Sequence, residues 1–282
     1  MLLDLSWILL RTLLLVASLQ AAGGVLFLAL MGADAAPISV PVRRLVRWAA
    51  ALGVLLALLL QLLASVRMAG DWSGLLESSL QRLAWLGRDG QARSLQMAAL
   101  LGLAAATPTH RLSWRALAAA GLVILSFTLT GHTSVHAARW LLAPLLVVHL
   151  AIVAFWFGSL LPLLQACRVL SAAQIAALLR HFSAVAVLTV PLIAVVGVVM
   201  AAVLLPWPVA ADNPYPWLLA GKLVLFAVLM MLAALNRSLF TDQLQVAAER
   251  AAARLRGSMG TEIALIVAVL VLTVLLTTLY SP

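Results

Sequence analysis

Leu141–Gln165 reads LLAPLLVVHLAIVAFWFGSLLPLLQ, 25 residues with no aspartate, glutamate, lysine or arginine and one imidazole, His149. At 1.5 Å per residue, about 20 such residues in a helix cross the roughly 30 Å of hydrocarbon in a bilayer. The run is continuously apolar and does not alternate with period two, which excludes a strand of a membrane barrel. A helix satisfies its own backbone hydrogen bonds, as lipid requires. Working outward, comparable runs recur at 7–31, 45–66, 113–131, 182–206, 217–239 and 262–280, with a shorter one at 93–107 that stops before Pro108. The reading is an all-α polytopic membrane protein with about eight transmembrane helices. Composition agrees: of 282 residues, 65% are hydrophobic and 10% charged, against about 25% charged in soluble domains. The first run is too long for the apolar part of a signal peptide and follows Asp4 where a leader would be basic, so a first span is expected there.

The net charge of +9 does not point to nucleic acid, because the arginines are spread through the connections between apolar runs, where topology signals sit. Odd-numbered connections carry Arg43, Arg44, Arg47, Arg111, Arg115, Arg168, Arg180, Arg237, Arg250, Arg254 and Arg256. The other side carries Arg11, Arg67, Arg82, Arg88, Arg93, Arg139 and Lys222. Eleven against seven puts the odd connections in the cytoplasm and both termini outside. Two connections are patterned as surface helices in contact with membrane lipid. In 73–88, Leu76, Leu80 and Leu83 form a stripe, and in 242–256, Leu244, Ala248, Ala251 and Leu255 do the same. Cys167 is the one cysteine, which excludes an internal disulfide and reads as a small buried side chain.

Three of the five histidines, His132, His136 and His149, fall between Thr130 and Leu164. Imidazole is the commonest metal ligand among side chains, and ionisable groups at membrane depth usually mark a site. His132 and His136 are spaced to share a helix face. His149 falls inside the fifth span, so all three gather toward the outer mouth. Three nitrogens suit copper or zinc, and the affinity order favours copper. Met200 and Met97, near outer span ends, carry soft thioethers that would suit Cu(I), although methionine is also an ordinary core filler. His110 and His181, beside Arg111 and Arg180, read as solvated residues of inner connections.

Absences narrow the function further. All nine acidic residues are expected in connections or at span ends, which leaves no proton relay at mid-membrane. No GxxxxGK[ST], GxSxG or HExxH motif is present, so neither nucleotide-driven transport nor these hydrolytic chemistries are expected, and the chain does not read as an enzyme. A haem-binding electron carrier, or a partner that binds copper without moving it, are the alternatives to transport. Haem would need histidines facing one another across the bundle.

Several motifs resemble the CopD family of copper-resistance membrane proteins. They are Gly131-His132, His149 followed by Phe155-Trp156-Phe157-Gly158-Ser159-Leu160, His181-Phe182-Ser183, and LLAGKLVLFAVLMMLAALNR from Leu218 to Arg237. Residues 111–282 then form a CopD-like membrane domain of about five spans. Residues 1–110 contribute about three more spans and the outer amphipathic segment, matching the family only in layout, including Gly23-Gly24. The resemblance implies a multi-pass protein of the bacterial inner membrane that moves copper ion inward from the periplasm, near a CopC-like copper-binding partner. It places His132 and His149 on family motif positions and Trp156 on the signature aromatic. His136 is added on spacing alone. Ser159 stands where a second glycine is common and is expected to loosen packing there.

Overall fold

In the computed structural model, the described residues are 2–107, 112–205, 214–243 and 248–279. The side chains of Leu2, His132, 237–243 and 248–253 lie outside the description, as do His110 and Arg111 entirely. The helices are α1 (Leu2–Met31), α2 (Ser39–Ala69), α3 (Ser78–Leu86), α4 (Arg88–Ala106), α5 (Trp114–Ser126), α6 (His132–Val135), α7 (Arg139–Val169), α8 (Ala172–Leu204), α9 (Tyr215–Gln243) and α10 (Ala248–Leu279). Among the described residues there is no strand. Stretches long and apolar enough to cross a membrane are 3–69 (which holds both α1 and α2), 139–169, 172–204, 215–236 and 254–279, and 114–129 is a shorter apolar stretch. With α4, helices stand at all eight positions where crossings were expected, although 114–129 is short and α4 is not apolar enough to count as a span by composition. The third starts earlier than expected, at Arg88, and its 19 residues reach about 28 Å.

Polar contacts fix how the helices alternate. Arg67, near the end of α2, meets Asp4 at 3.5 Å, and its guanidinium lies 4.7 Å from the Trp7 ring centre. Arg93, in the second turn of α4, lies 5.5 Å from the same ring and donates to Gln61 Oε1 at 2.7 Å. Arg11 donates to Thr278 Oγ1, near the end of α10, at 2.9 Å. The starts of α1 and α4 and the ends of α2 and α10 therefore share one face of the bundle, the first face. On the second face, His181 Nδ1 of α8 stands 2.8 Å from Asp34 Oδ2, in the 3₁₀ turn Gly32–Ile38 between α1 and α2.

His181 was expected in a connection. Instead α8 begins ten residues before the predicted start of that span, because Ser171 closes a capping box. Its hydroxyl accepts the Gln174 N–H, and the Gln174 side chain accepts the Ser171 N–H at 3.0 Å. Replacing Ser171 by alanine is expected to lower stability by about 1 kcal/mol. Thermal unfolding reads this directly, and an unshifted transition would mean that packing alone sets the start of α8.

The segment 73–88 forms a 3₁₀ turn at Trp72–Leu75 followed by α3, packed against α2 and α4. Ala84 is buried while Leu76, Leu83 and Leu86 stay exposed, an apolar face suited to the headgroup boundary. The expected inner surface helix at 242–256 is not a separate element, because from Ala248 onward it is continuous with α10. Leu244 and the side chains of Ala248 and Ala251 lie outside the described residues.

The first helix lies at the centre of the bundle, packed on α2 and α7 and touching α5 and α10. Its contact with α7 needs glycine on both sides. A Cβ on Gly158 would lie 2.5 Å from Gly23 Cα, and one on Gly23 would lie 1.8 Å from the Ala154 carbonyl oxygen. Gln20 Nε2 donates to the Gly158 carbonyl at 3.1 Å across this seam. Ser159 does not loosen it: the side chain is fully buried and its hydroxyl bonds back to the Phe155 carbonyl at 2.5 Å. Cys167 is buried and free, as a small core side chain.

Candidate functional site

The predicted histidines are strung along one part of the bundle. Gly131, at φ 76°, turns the chain out of α5 and its 3₁₀ extension, and glycine takes this left-handed conformation without strain. His132 then opens the single turn α6, and its ring lies outside the described residues. His136 follows that turn, half-buried, and its Nδ1 accepts the Ala138 N–H at 3.0 Å just ahead of α7. One ring nitrogen is thus committed to starting that helix. Among the described residues, no group of three or more His, Cys, Asp or Glu side chains is placed to hold a metal ion.

His149 is ten residues, about 15 Å, into α7. Its ring points at α8, where it bonds the Ile193 backbone, and its Cε1 is 3.8 Å from where a Gly197 Cβ would stand. Nδ1 is buried with no hydrogen-bond partner. With the Ile193 bond made through Nε2–H, Nδ1 keeps its lone pair, the form of imidazole that ligates metals. Met200 shares the α8 face of Ile193 and Gly197 at i, i+4, i+7 and is half-buried. Lys222, in α9, is half-buried and stands near enough for its charge to act on His149. Met97 packs against the core on α4, away from this line.

Deeper in, a cavity of about 290 Å³ opens between α7, α8, α9 and α10. Its polar lining comes from Trp156, Ser183, Asn236 and Glu262, with the thioethers of Met230 and Met259 on the same walls. Glu262 is 5% exposed, although a place at the end of a span was expected for it. The reason is the length of α10: the helix runs unbroken from Ala248, so Glu262 falls fourteen residues in and about 24 Å before Thr278. Three donors organise it. Ser258 Oγ donates to Asn236 Oδ1 at 2.6 Å, Asn236 Nδ2 donates to Glu262 Oε1, and the Trp156 side chain also bonds Glu262. Glu262 is thus buried within the bundle, not in a connection, although its distance of about 24 Å from the Thr278 level, in a layer of roughly 30 Å, keeps it toward the far end of its span. Asn236 and Trp156 were both visible in the quoted motifs, and the absence of proline from 248–279 was the signal that could have placed Glu262 inside.

These features define a polytopic helical membrane protein with an imidazole and a buried carboxylate in its interior. The sequence model for Copper resistance protein D matches residues 176–276, and that for the Copper resistance protein D-like N-terminal domain matches residues 1–140. The chain belongs to the copper resistance protein D family. The likeness thus extends into the N-terminal half, where only the layout had suggested it. Neither the curated proteins nor the solved structures include a match to the chain.

Proposed function

We propose that the protein carries copper across the bacterial inner membrane, taking it up at His132 and His136 on the first face and passing it inward by His149. The observation that carries this reading is His149 Nδ1, a buried imidazole nitrogen with no partner, inside a member of a family described by copper resistance. A polar atom shielded from water and left unbonded is costly unless something else binds it. The Lys222 charge opposes a cation at His149, which suits passage over storage, since a conducting site must also release its ion.

In this reading the first face is periplasmic and both termini lie there. The arginine bias supports that orientation, and three basic residues of the poorer side, Arg11, Arg67 and Arg93, are tied into contacts with Thr278, Asp4, Trp7 and Gln61. Inward movement needs no fuel: each positive charge gains about 2.3 kcal/mol per 100 mV on entering a negative interior. A CopC-like periplasmic protein would deliver the ion. The role is transport, not catalysis. A haem carrier is disfavoured, because His181, the other histidine in a described long helix, stands twelve residues, about 18 Å, along α8 from the Ile193 that His149 touches.

The test is copper binding to the detergent-purified chain, wild type beside His132→Ala/His149→Ala, with zinc as competitor. Near-stoichiometric copper that is lost in the double variant is expected. Retention indifferent to both histidines would remove the site. Copper flux into liposomes then separates a transporter from a protein that only binds and hands copper on.

A further inference from the structure

The cavity beyond His149 holds chemistry that the histidines do not use. Pro191 of α8 lines it and lies two residues, about 3 Å along the helix axis, from the Ile193 that bonds His149, so the cavity starts just below the level of the imidazole. The depths agree. Trp156 lies seven residues, about 10 Å, below His149 on α7, which puts it level with Glu262 of α10.

We propose that this cavity is a second copper site, selective for the monovalent ion, in which the Glu262 carboxylate and the thioethers of Met230 and Met259 are the ligands. The proposal rests on copper being the cargo. Three observations carry it. First, Glu262 is the sole ionisable side chain among the described residues that line the cavity. One carboxylate neutralises one positive charge, whereas a divalent ion would leave a charge uncompensated in an apolar surrounding, which is costly. Second, the other candidate ligands are soft. Met259 and Glu262 are spaced i, i+3 on one side of α10, and Met230 faces the same space from α9. Thioethers select Cu(I) over zinc or magnesium.

Third, the surrounding polar groups are arranged as an outer shell. Asn236 and Trp156 donate to the carboxylate, and Ser258 in turn donates to Asn236. Such donors hold a ligating carboxylate in place and leave its remaining lone pairs for the cavity. A space of about 290 Å³ is large enough for an ion that keeps several of its waters, since a water occupies about 30 Å³ of liquid. No redox step is involved, because the ion reaches the cavity already monovalent.

The experiment uses the full chain in detergent, with Ag⁺ as a redox-inert stand-in for Cu(I), titrated against a competing chelator. Glu262→Gln keeps the shape and one carbonyl for Asn236, and Met230→Leu/Met259→Leu is close to isosteric. Each is expected to weaken Ag⁺ binding at least tenfold while leaving zinc binding unchanged. Unaltered Ag⁺ affinity in both, or no Ag⁺ binding by wild type, overturns the proposal. If Glu262→Gln does not fold, as thermal unfolding would reveal, the leucine variant decides by the same criterion. Copper flux in liposomes separates the two readings. Wild-type flux that neither variant changes removes the cavity site and leaves transport standing. Ag⁺ held through Glu262 by a chain that moves no copper keeps the site and removes transport.

Discussion

Replacing Gly158 by alanine should strongly destabilise the protein, whereas the same change at Gly102 should not. In an exposed helix interior, glycine to alanine gains about 1 kcal/mol from propensity. At Gly102 the new methyl meets the Ala119 Cβ at 3.8 Å, an ordinary contact, so the gain survives. At Gly158 it would lie 2.5 Å from Gly23 Cα, 2.6 Å from Gly23 C and 2.8 Å from Gly24 N. All three are backbone atoms, so no rotamer change relieves the clash, and α1 must move away from α7. Overpacking commonly costs about 1–3 kcal/mol where side chains can yield, and backbone against backbone belongs at or above the top of that range. Because α1 also contacts α2, α5 and α10, the displacement spreads through the bundle. Thermal unfolding and monodispersity of the two variants in detergent check this. Equal stability of the Gly158 and Gly102 variants would refute the close seam.

Asn236→Leu should cost about 2–3 kcal/mol, and the double variant Asn236→Leu/Glu262→Leu should recover most of it. Removing Asn236 takes one donor from the buried carboxylate and the acceptor from the Ser258 hydroxyl. Hydrogen bonds to charged groups are worth about 1.5–3 kcal/mol, and a buried group left short of partners carries its full desolvation cost. Removing the carboxylate as well eliminates its own unmet demand, the largest of the set, and leaves only the neutral Trp156 and Ser258 donors to find other partners. The expected outcome is strong non-additivity in a cycle of unfolding measurements. A double variant whose destabilisation equals the sum of the two single changes would show that the pair is not coupled. The same double variant should bind no Ag⁺ in the cavity, so stability and binding are expected to part company there.

Much of the fold is legible along the chain because helix formation and lipid solubility are local properties. Leu141–Gln165 reads as a span from its own residues, and α7 contains it. The motifs at His149, Trp156 and Asn236-Arg237 pointed to the family, and the matches to residues 1–140 and 176–276, which contain Asn236-Arg237 but neither His149 nor Trp156, establish it. The boundaries are less legible. Ten residues before Phe182 and fourteen before Glu262 belong to helices, because a capping box at Ser171 and an uninterrupted charged turn extend α8 and α10 past their apolar cores. A hydropathy reading sees where a helix is greasy, not where its backbone hydrogen bonds end.

By itself, then, the order of residues determined the helical crossings, the position of His149 within one of them and the copper-resistance family. Tertiary structure decided which faces meet. It brought Gly23 against Gly158 and Asp34 to His181, and it placed Trp156, Asn236 and Glu262 around one cavity. These partners are separated by 26 to 147 positions. Each is an ordinary glycine, amide or carboxylate in its own helix, and its role arises only from how the helices rotate and dock. That choice follows from close packing and from the need to satisfy polar groups out of water, which are properties of the assembled bundle.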